Sequence, residues 1–89
     1  MKEFTHLFKA LSDPTRRSII ELLKTKDLTP SDLLEQLEVS QPTLSHHLDI
    51  LKRANLIEGE RNGQFVRYSL NMSVFQMAVE YIMQFTKRR

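Results

Sequence analysis

The sequence contains no cysteine and very little glycine or proline, with two glycines and three prolines among 89 residues. Without cysteine the chain has no disulfide, no thiolate ligand for a metal ion and no thiol nucleophile. Because glycine and proline are so scarce, the sequence has no flexible linker or low-complexity segment, and each one marks a particular turn or helix boundary. We therefore expect residues 1–89 to form a single small domain.

The sequence also lacks an apolar run long enough to cross a bilayer, and its start, MKEFTHLF, has no signal-peptide core. We expect a cytoplasmic protein with no membrane insertion. The net charge of +2 permits binding to a polyanion without requiring it. The distribution of charge is more informative, since residues 27–38 carry four acidic residues and no lysine or arginine. A polyanion is expected to avoid that segment and to meet the basic residues elsewhere.

Helical spacing and cap signals predict four helices in the first 54 residues. Phe4, Leu7, Phe8 and Leu11 follow the i, i+3, i+4, i+7 spacing of one helix face. Three further helices are signalled by SDP, LTP and SQP, in which a residue suited to the N-cap precedes a proline suited to the first turn. The second helix is predicted to end near residue 24 and the fourth near residue 54. The third is short and lies about three residues before the fourth, which predicts a helix-turn-helix.

After the fourth helix the pattern changes to that of a β-hairpin. The segments LIEGE and QFVRYSL flank RNGQ, and the Asn62-Gly63 pair predicts a type I′ turn with positive φ at both central positions. Val66, Tyr68 and Leu70 alternate with polar or outward residues, so one face of the second strand can pack. The predicted hairpin is a small β-wing. A fifth helix, over about residues 73–86, has an apolar stripe too wide for this small chain to cover alone.

The two adjacent histidines in SQPTLSHHLDIL receive different interpretations from their positions on the fourth helix. Leu44, Leu48 and Leu51 define its inner face, His47 lies beside that face, and His46 lies opposite. We interpret His47 as a hydrogen-bonded ring at the edge of the core. We interpret His46 as a contact to a DNA groove, with a solvated side chain as the alternative. Neighbouring helical residues diverge by about 100°, which does not suit a shared metal ion.

The first turn of the fourth helix carries side chains that suit base recognition. Gln41 can bridge adenine N6 and N7, while Thr43 and Ser45 can donate, accept or pack on a thymine methyl. A catalytic role is not expected, because Ser45 and His46 are only sequence neighbours and no orienting acid is placed beside them. The sequence therefore predicts a DNA-binding protein and no enzyme.

Three segments in this order resemble the ArsR-type family of winged-helix bacterial repressors, especially its small members. They are ALSDPTRRSIIELL, LLEQLEVSQPTLSHHLDILKRANLI and RNGQFVRYSL, and the resemblance covers nearly the whole chain. It implies a winged helix-turn-helix fold, mainly α with a small β-hairpin, in the order of four helices, two strands and a fifth helix. It also implies a homodimer held by the first and last helices, with the fourth helix in the major groove and the wing along the backbone or minor groove.

The resemblance also assigns candidate site residues. The recognition helix is expected to contact DNA through Ser40, Gln41, Thr43, Ser45 and His46. Backbone or wing contacts are expected from Arg53, Arg61, Asn62, Gly63, Gln64 and Arg67. The apolar stripes of the first and last helices suggest the same dimer interface, which is expected to include Phe4, Leu7, Phe8, Val74, Ala78, Tyr81, Ile82 and Phe85. For Arg16 and Arg17 the sequence leaves two alternatives open: the side chains contact phosphate, or they form an ion pair with Glu21.

The predicted function is a sequence-specific transcriptional repressor that binds double-stranded DNA as a homodimer on a pseudo-palindromic operator. One alternative is a protein-interaction module that sequesters another regulator. Both functions are compatible with a regulatory protein partner. The polar outward set on the fourth helix favours DNA, because a protein-binding face is expected to be more apolar or aromatic. A metal-responsive repressor is a further alternative. The segment SDLLEQLEV has no thiolates and the last helix offers only Glu80, so no metal or cofactor is predicted, although His6, His46 and Glu80 could meet across a dimer.

Overall fold

In the part of the chain that the structure describes, five α-helices pack around a small core and one antiparallel β-hairpin extends from it. The computed structural model describes the backbone of residues 2–88 and the side chains of residues 4–88. The elements are α1 (Lys2–Leu11), α2 (Pro14–Thr25), α3 (Pro30–Gln36), α4 (Gln41–Arg53), β1 (Ile57–Asn62), β2 (Phe65–Leu70), α5 (Met72–Met83) and a 3-10 turn (Gln84–Thr86). This order confirms the predicted winged helix-turn-helix arrangement. The last α-helix ends three residues earlier than predicted, because its final turn tightens into the 3-10 form.

The three predicted caps are all present, each with proline in the first helical turn. The Asp13 carboxylate accepts from the Arg16 backbone N–H at 3.0 Å, at the start of α2. Thr29 and Asp32 exchange hydrogen bonds in a capping box that opens α3. Ser40 accepts from the Thr43 N–H at 3.3 Å and opens α4. Each cap satisfies a backbone donor that has no partner within its own helix, which fixes where the helix begins.

Helix α4 lies at the centre of the fold, in contact with α1, α2, α3 and β1. Its inner residues Leu44, Leu48 and Leu51 are buried, as the helical wheel predicted. They pack with apolar residues of the other helices, among which Leu7, Ile19 and Leu33 are fully buried. Burying a leucine stabilises the fold by about 1.5–3 kcal/mol, so this face holds α4 to the domain and leaves the opposite face free.

A Schellman motif ends α4 and directs the chain into the wing. The Leu56 N–H donates to the Leu51 carbonyl at 3.0 Å, and the Asn55 N–H donates to the Lys52 carbonyl at 2.9 Å. Asn55 takes the left-handed position of this motif, with φ of 61°. Asparagine tolerates that conformation better than other residues with a side chain, which accounts for Asn at a position where glycine is usual.

The wing has a different turn from the one predicted. Asn62 pairs with Phe65, so the central turn residues are Gly63 and Gln64. Among the described turn residues only Gly63 has a positive φ, at 67°. The type I′ prediction was therefore wrong: Asn62 is the last residue of β1, and the φ pattern is that of a type II′ turn, which takes glycine at its first central position.

Tyr68 connects the wing to the helices in two ways. Its backbone forms a reciprocal bridge with Leu28, with N–H···O distances of 3.1 and 2.7 Å, which ties the α2–α3 connection to β2. Its buried ring covers Gly59 on the paired strand, where an added Cβ would lie 2.9 Å from the ring. The sequence patterns did not reveal the Leu28 bridge, because one isolated residue has no periodicity. Together these contacts hold the base of the wing against the helix-turn-helix.

The single chain is more extended than a compact chain of its length. Its radius of gyration is 14.1 Å and its extents are 52 × 24 × 23 Å. A compact domain of this length is expected to have a radius of gyration of about 12 Å. Within residues 2–88 no helix is long and apolar enough to span a membrane.

Candidate nucleic-acid interface

The outward face of α4 presents the side chains that the sequence predicted as groove contacts. Ser40, Gln41, Thr43, Ser45 and His46 are all exposed, whereas Leu44 and Leu48 on the opposite side are buried. This division follows from the 100° step of the helix. The structure therefore brings the five predicted residues together on one polar, accessible surface.

The hydrogen-bonding groups on this surface are unequally available. The Ser40 hydroxyl caps α4 and also donates to the Thr43 Oγ1 atom at 2.9 Å, so both hydroxyls have internal partners. Within the described part of the chain, the side chains of Gln41 and Ser45 make no hydrogen bond to another residue. Gln41 and Ser45 can therefore meet base edges without breaking an internal bond.

The C-terminal half of α4 has a different electrostatic character. Arg53, predicted to contact the DNA backbone, forms an ion pair with Asp49 one turn earlier at 3.0 Å. The Arg53 side chain is 78% exposed, so this pair is expected to contribute only a few tenths of a kcal/mol. Arg53 thus remains available to a phosphate, but the neighbouring carboxylate reduces the local positive charge.

The predicted wing residues divide into two groups. Arg61, Asn62, Gly63 and Gln64 are exposed at the tip of the hairpin. Arg67 lies near the base, where it lines a surface cleft with Asp27, Asp32 and Glu35. Hydrogen bonds from Thr29 lower the pKa of Asp32 below its ordinary value, and the positive charge of Arg67 contributes in the same direction. Arg61 is consequently better placed than Arg67 for a phosphate beyond the wing.

His47 occupies the edge of the core, as the sequence predicted, and it has a defined partner. Its side chain is 12% exposed, and its Nδ1 atom lies 3.2 Å from Arg16 Nη1. Because a guanidinium only donates, Nδ1 must be unprotonated and the ring neutral. Burial lowers the pKa of His47 below its ordinary value of 6.5; the Asp13 carboxylate opposes this shift, and the Arg16 charge reinforces it. The 4.0 Å separation between His47 Nδ1 and Asp13 is therefore a proximity rather than an ion pair of a charged ring.

Arg16 and Arg17 hold the end of α1. Arg16 donates from Nε to the Ala10 carbonyl at 2.7 Å and from Nη2 to the Lys9 carbonyl at 3.2 Å. Arg17 donates from Nη1 to the Leu11 carbonyl at 2.7 Å. These are helix-terminal carbonyls without partners inside α1. Of the two alternatives for these arginines, pairing with Glu21 was wrong, since Glu21 bonds to Lys24 at 3.1 Å; a phosphate contact stays a prediction.

The predicted dimer residues differ in how much surface they offer. Phe4, Leu7 and Ala78 are buried within the single chain, and Val74 and Tyr81 are partly buried. Phe8, Ile82 and Phe85 are exposed. Sequence reasoning did not assign Met72, Met77, Val79 and Met83 to the interface, although all four are exposed on α5. The signal for them was available, because α5 is apolar around most of its circumference.

An aromatic cluster joins the two helices that were predicted to form the interface. The Tyr81 ring stacks on Phe4 at 4.9 Å between centroids and meets Phe85 edge-on at 5.3 Å. Phe8 lies 6.3 Å from Tyr81 and extends the cluster towards solvent. The cluster makes α1 and α5 one continuous surface.

The described residues contain no group of three or more histidine, cysteine, aspartate or glutamate side chains arranged to hold a metal ion. His6, one of the residues considered for a shared metal site, lies on the exposed side of α1 and lines a shallow cleft with Lys9, Arg16 and Arg53. His46 lies on the outer face of α4, and Glu80 lies on α5. These three residues thus belong to separate elements of the fold.

Comparison with known proteins identifies the family. Residues 13–59 match the model of the arsR family of bacterial regulatory proteins. The chain is 47% identical to the transcriptional repressor SdpR of Bacillus subtilis, over 93% of this chain and 92% of that protein. It is 44% identical to the arsenical resistance operon repressor of Staphylococcus xylosus, over 79% of this chain and 67% of that protein.

A solved structure extends this comparison to the fold. An ArsR-like transcriptional regulator from Rhodococcus sp. RHA1 superposes with a TM-score of 0.88 at 28% identity, covering 96% of this chain and 80% of that one. The superposition includes the hairpin and the terminal helices as well as the matched central segment. The chain belongs to the ArsR family of bacterial regulatory proteins, and it is a winged helix-turn-helix transcriptional repressor rather than an enzyme.

Proposed function

We propose that this protein represses transcription as a homodimer that binds a pseudo-palindromic operator, with the first half of α4 in the major groove. The observation that carries this proposal is the two-sided character of α4. One face is buried in the core, and the other exposes Gln41, Thr43, Ser45 and His46. Polar side chains on the exposed face of a helix whose other face is held in the core are suited to base edges. The wing tip, with Arg61, then lies where it can meet the backbone or minor groove.

The proposed homodimer is supported by the surface of α5. The chain has an accessible surface of 6653 Å². A compact monomer of this mass is expected to expose about 5,400 Å², which leaves an excess of about 1,200 Å². A typical stable interface buries about 800 Å² from each partner, so the excess suffices for one interface. The exposed apolar side chains that suit this role are Phe8, Met72, Met77, Val79, Ile82, Met83 and Phe85.

A two-fold dimer accounts for the proposed form of the operator. Two copies related by a two-fold axis present their recognition helices to successive major grooves in opposite directions. Such a dimer reads an inverted repeat whose half-sites are about one helical turn apart. Sequestration of another regulator, the alternative function, fits the polar outer face of α4 less well.

Selection from a random duplex pool tests the proposal. We expect the enriched sequences to contain an inverted repeat, and sedimentation of the complex to give two chains per duplex. The double variant Gln41→Ala/Ser45→Ala should lose the enrichment. Lys24→Ala is the matched control, since it removes a basic residue from α2 and should retain it. If the wild-type protein enriches no sequence, the DNA-binding assignment of α4 is wrong; enrichment of single half-sites by a monomer would refute the dimer.

A further inference from the structure

We propose that Arg16 is a positioning residue, which fixes the orientation of α4 relative to α1 and thereby sets the half-site spacing that the dimer accepts. This inference rests on the proposed function, because spacing has meaning only for a dimer on DNA. Arg16 itself is assigned no contact with DNA.

The guanidinium of Arg16 bonds to two helices from a third. It belongs to the first turn of α2, where its own backbone N–H donates to the Asp13 cap. Two of its side-chain nitrogens donate to the Lys9 and Ala10 carbonyls at the end of α1. The third, Nη1, lies 3.2 Å from the His47 Nδ1 atom on α4. The three nitrogens thus have acceptors on both the proposed dimer helix and the recognition helix.

The planar guanidinium adds a directional constraint that the core does not supply. The hydrophobic effect is non-directional, and side-chain packing between two helices restricts their crossing angle only to within about 15–20° of a preferred value. A guanidinium has donors in a rigid fork, and its bonds fix the directions of its partners. The dimer is proposed to form through α1 and α5, and DNA is proposed to bind α4. A rotation of α4 against α1 would therefore change the separation of the two recognition helices.

Arg17 provides an internal control for this inference. It caps the same end of α1, with a 2.7 Å bond to the Leu11 carbonyl, and among the described residues it makes no hydrogen bond to α4. Arg17→Gln should weaken the end of α1 as Arg16→Gln does, but it leaves the bond to His47 in place. Arg16→Lys keeps the charge but carries its donors on a single nitrogen, which cannot reach all three acceptors at once.

A measurement without DNA tests the orientation directly. The native chain has no cysteine, so two introduced cysteines, His6→Cys on α1 and Ser45→Cys on α4, would carry the only spin labels. Diluting the labelled chain with unlabelled protein isolates the distance within one subunit. Double electron–electron resonance should give a narrow distribution in the parent and in Arg17→Gln. Arg16→Gln should broaden it, and Arg16→Lys should give an intermediate width.

Operator binding then tests the consequence. We compare three duplexes, which carry the selected half-sites at the preferred spacing, at one base pair more and at one base pair less. Each protein is titrated at the same salt concentration, and its concentration is corrected for the measured folded fraction. These titrations use the chain with its native His6 and Ser45. We expect this native chain and its Arg17→Gln variant to prefer one spacing by about tenfold, and its Arg16→Gln variant to bind all three within about twofold. Arg16→Lys should recover part of the preference.

The outcomes separate this inference from the proposed function. If Arg16→Gln keeps both the narrow distance distribution and the spacing preference, Arg16 is not a positioning residue. The same conclusion follows if Arg17→Gln loses the narrow distribution and the spacing preference as much as Arg16→Gln does. Both arginines would then act only by capping the end of α1. If the native chain binds no duplex but Arg16→Gln still broadens the distances in the spin-labelled chain, the proposed function and the spacing consequence fail, while the role of Arg16 in orienting α4 stands.

Discussion

Acidification should destabilise the protein through His47, and the direction follows from its bond to Arg16. In the folded state Nδ1 accepts from the guanidinium at 3.2 Å, which requires the neutral ring. Protonation would remove this acceptor and place a second positive charge beside Arg16. Burial lowers the pKa of His47 in the folded protein below its ordinary value of 6.5. The stabilising contribution is therefore fully present above about pH 6.5 and is lost as the pH falls through the folded pKa.

The expected size of this effect comes from one hydrogen bond between a charged donor and a neutral acceptor. Such a bond contributes about 1.5–3 kcal/mol to the free energy of unfolding. For a chain of this length, 1 kcal/mol corresponds to a shift in Tm of about 4–8 °C. The lowered pKa of Asp13, caused chiefly by the Arg16 backbone N–H, also favours folding, but its contribution is lost only below its ordinary value of 3.8. Measurements between pH 7.5 and 5 therefore isolate His47 from Asp13.

Urea unfolding of three proteins across this pH range provides the assay. The wild type should lose stability on acidification. His47→Gln, which cannot titrate, should be less stable at pH 7.5 and should show a much weaker pH dependence. His46→Gln is the matched control, because His46 is exposed on the other face of α4, and it should behave as the wild type does. If His47→Gln retained the full pH dependence, or His46→Gln abolished it, the assignment of a neutral, buried His47 would be refuted.

Three further predictions concern binding and assembly. His46→Ala should leave Tm nearly unchanged and weaken operator binding by about 1–3 kcal/mol, measured by thermal unfolding and titration; loss of folding would contradict its outward position. Ile82→Lys should dissociate the dimer in sedimentation, because an unpaired charge in an apolar interface costs several kcal/mol, whereas Glu80→Lys on the same helix should not. Arg61→Ala should weaken binding to every duplex equally, and it should reduce the slope of log affinity against log salt concentration by about one. Arg67→Ala should reduce that slope less. Equal reductions would mean that Arg67 moves away from its acidic neighbours to bind phosphate.

The order of elements could be predicted because each boundary has a local signal. Asp13, Thr29 and Ser40 each stand just before a proline-containing first turn, and all three cap their helices. The buried and exposed faces of α4 were also predictable, since they depend only on the 100° step between residues. The wing turn was misassigned by one position, because Asn62-Gly63 suits a type I′ turn, and only the pairing of Asn62 with Phe65 shows that Asn62 lies in the strand.

Contacts between distant residues could not be predicted from the pattern. Arg16 and His47 are 31 positions apart, and neither periodicity nor spacing relates them. The sequence suggested that Arg16 binds phosphate or Glu21, both of which are ordinary surface roles for arginine. Likewise, Leu7 and Ala78 were predicted at the dimer interface from their apolar faces, yet both are buried within one chain. An apolar stripe indicates that a face is covered, and only the packing shows whether the same chain covers it.

The most direct test of the account is the ratio of operator affinity to scrambled-duplex affinity for the Gln41→Ala/Ser45→Ala variant. Both duplexes are titrated at one salt concentration, because phosphate contacts contribute to each. The outward face of α4 is proposed to read bases, so the variant should lose operator affinity by about tenfold or more while its affinity for the scrambled duplex stays the same. An unchanged ratio, whether both affinities fall together or neither falls, would show that this face of α4 does not read the operator.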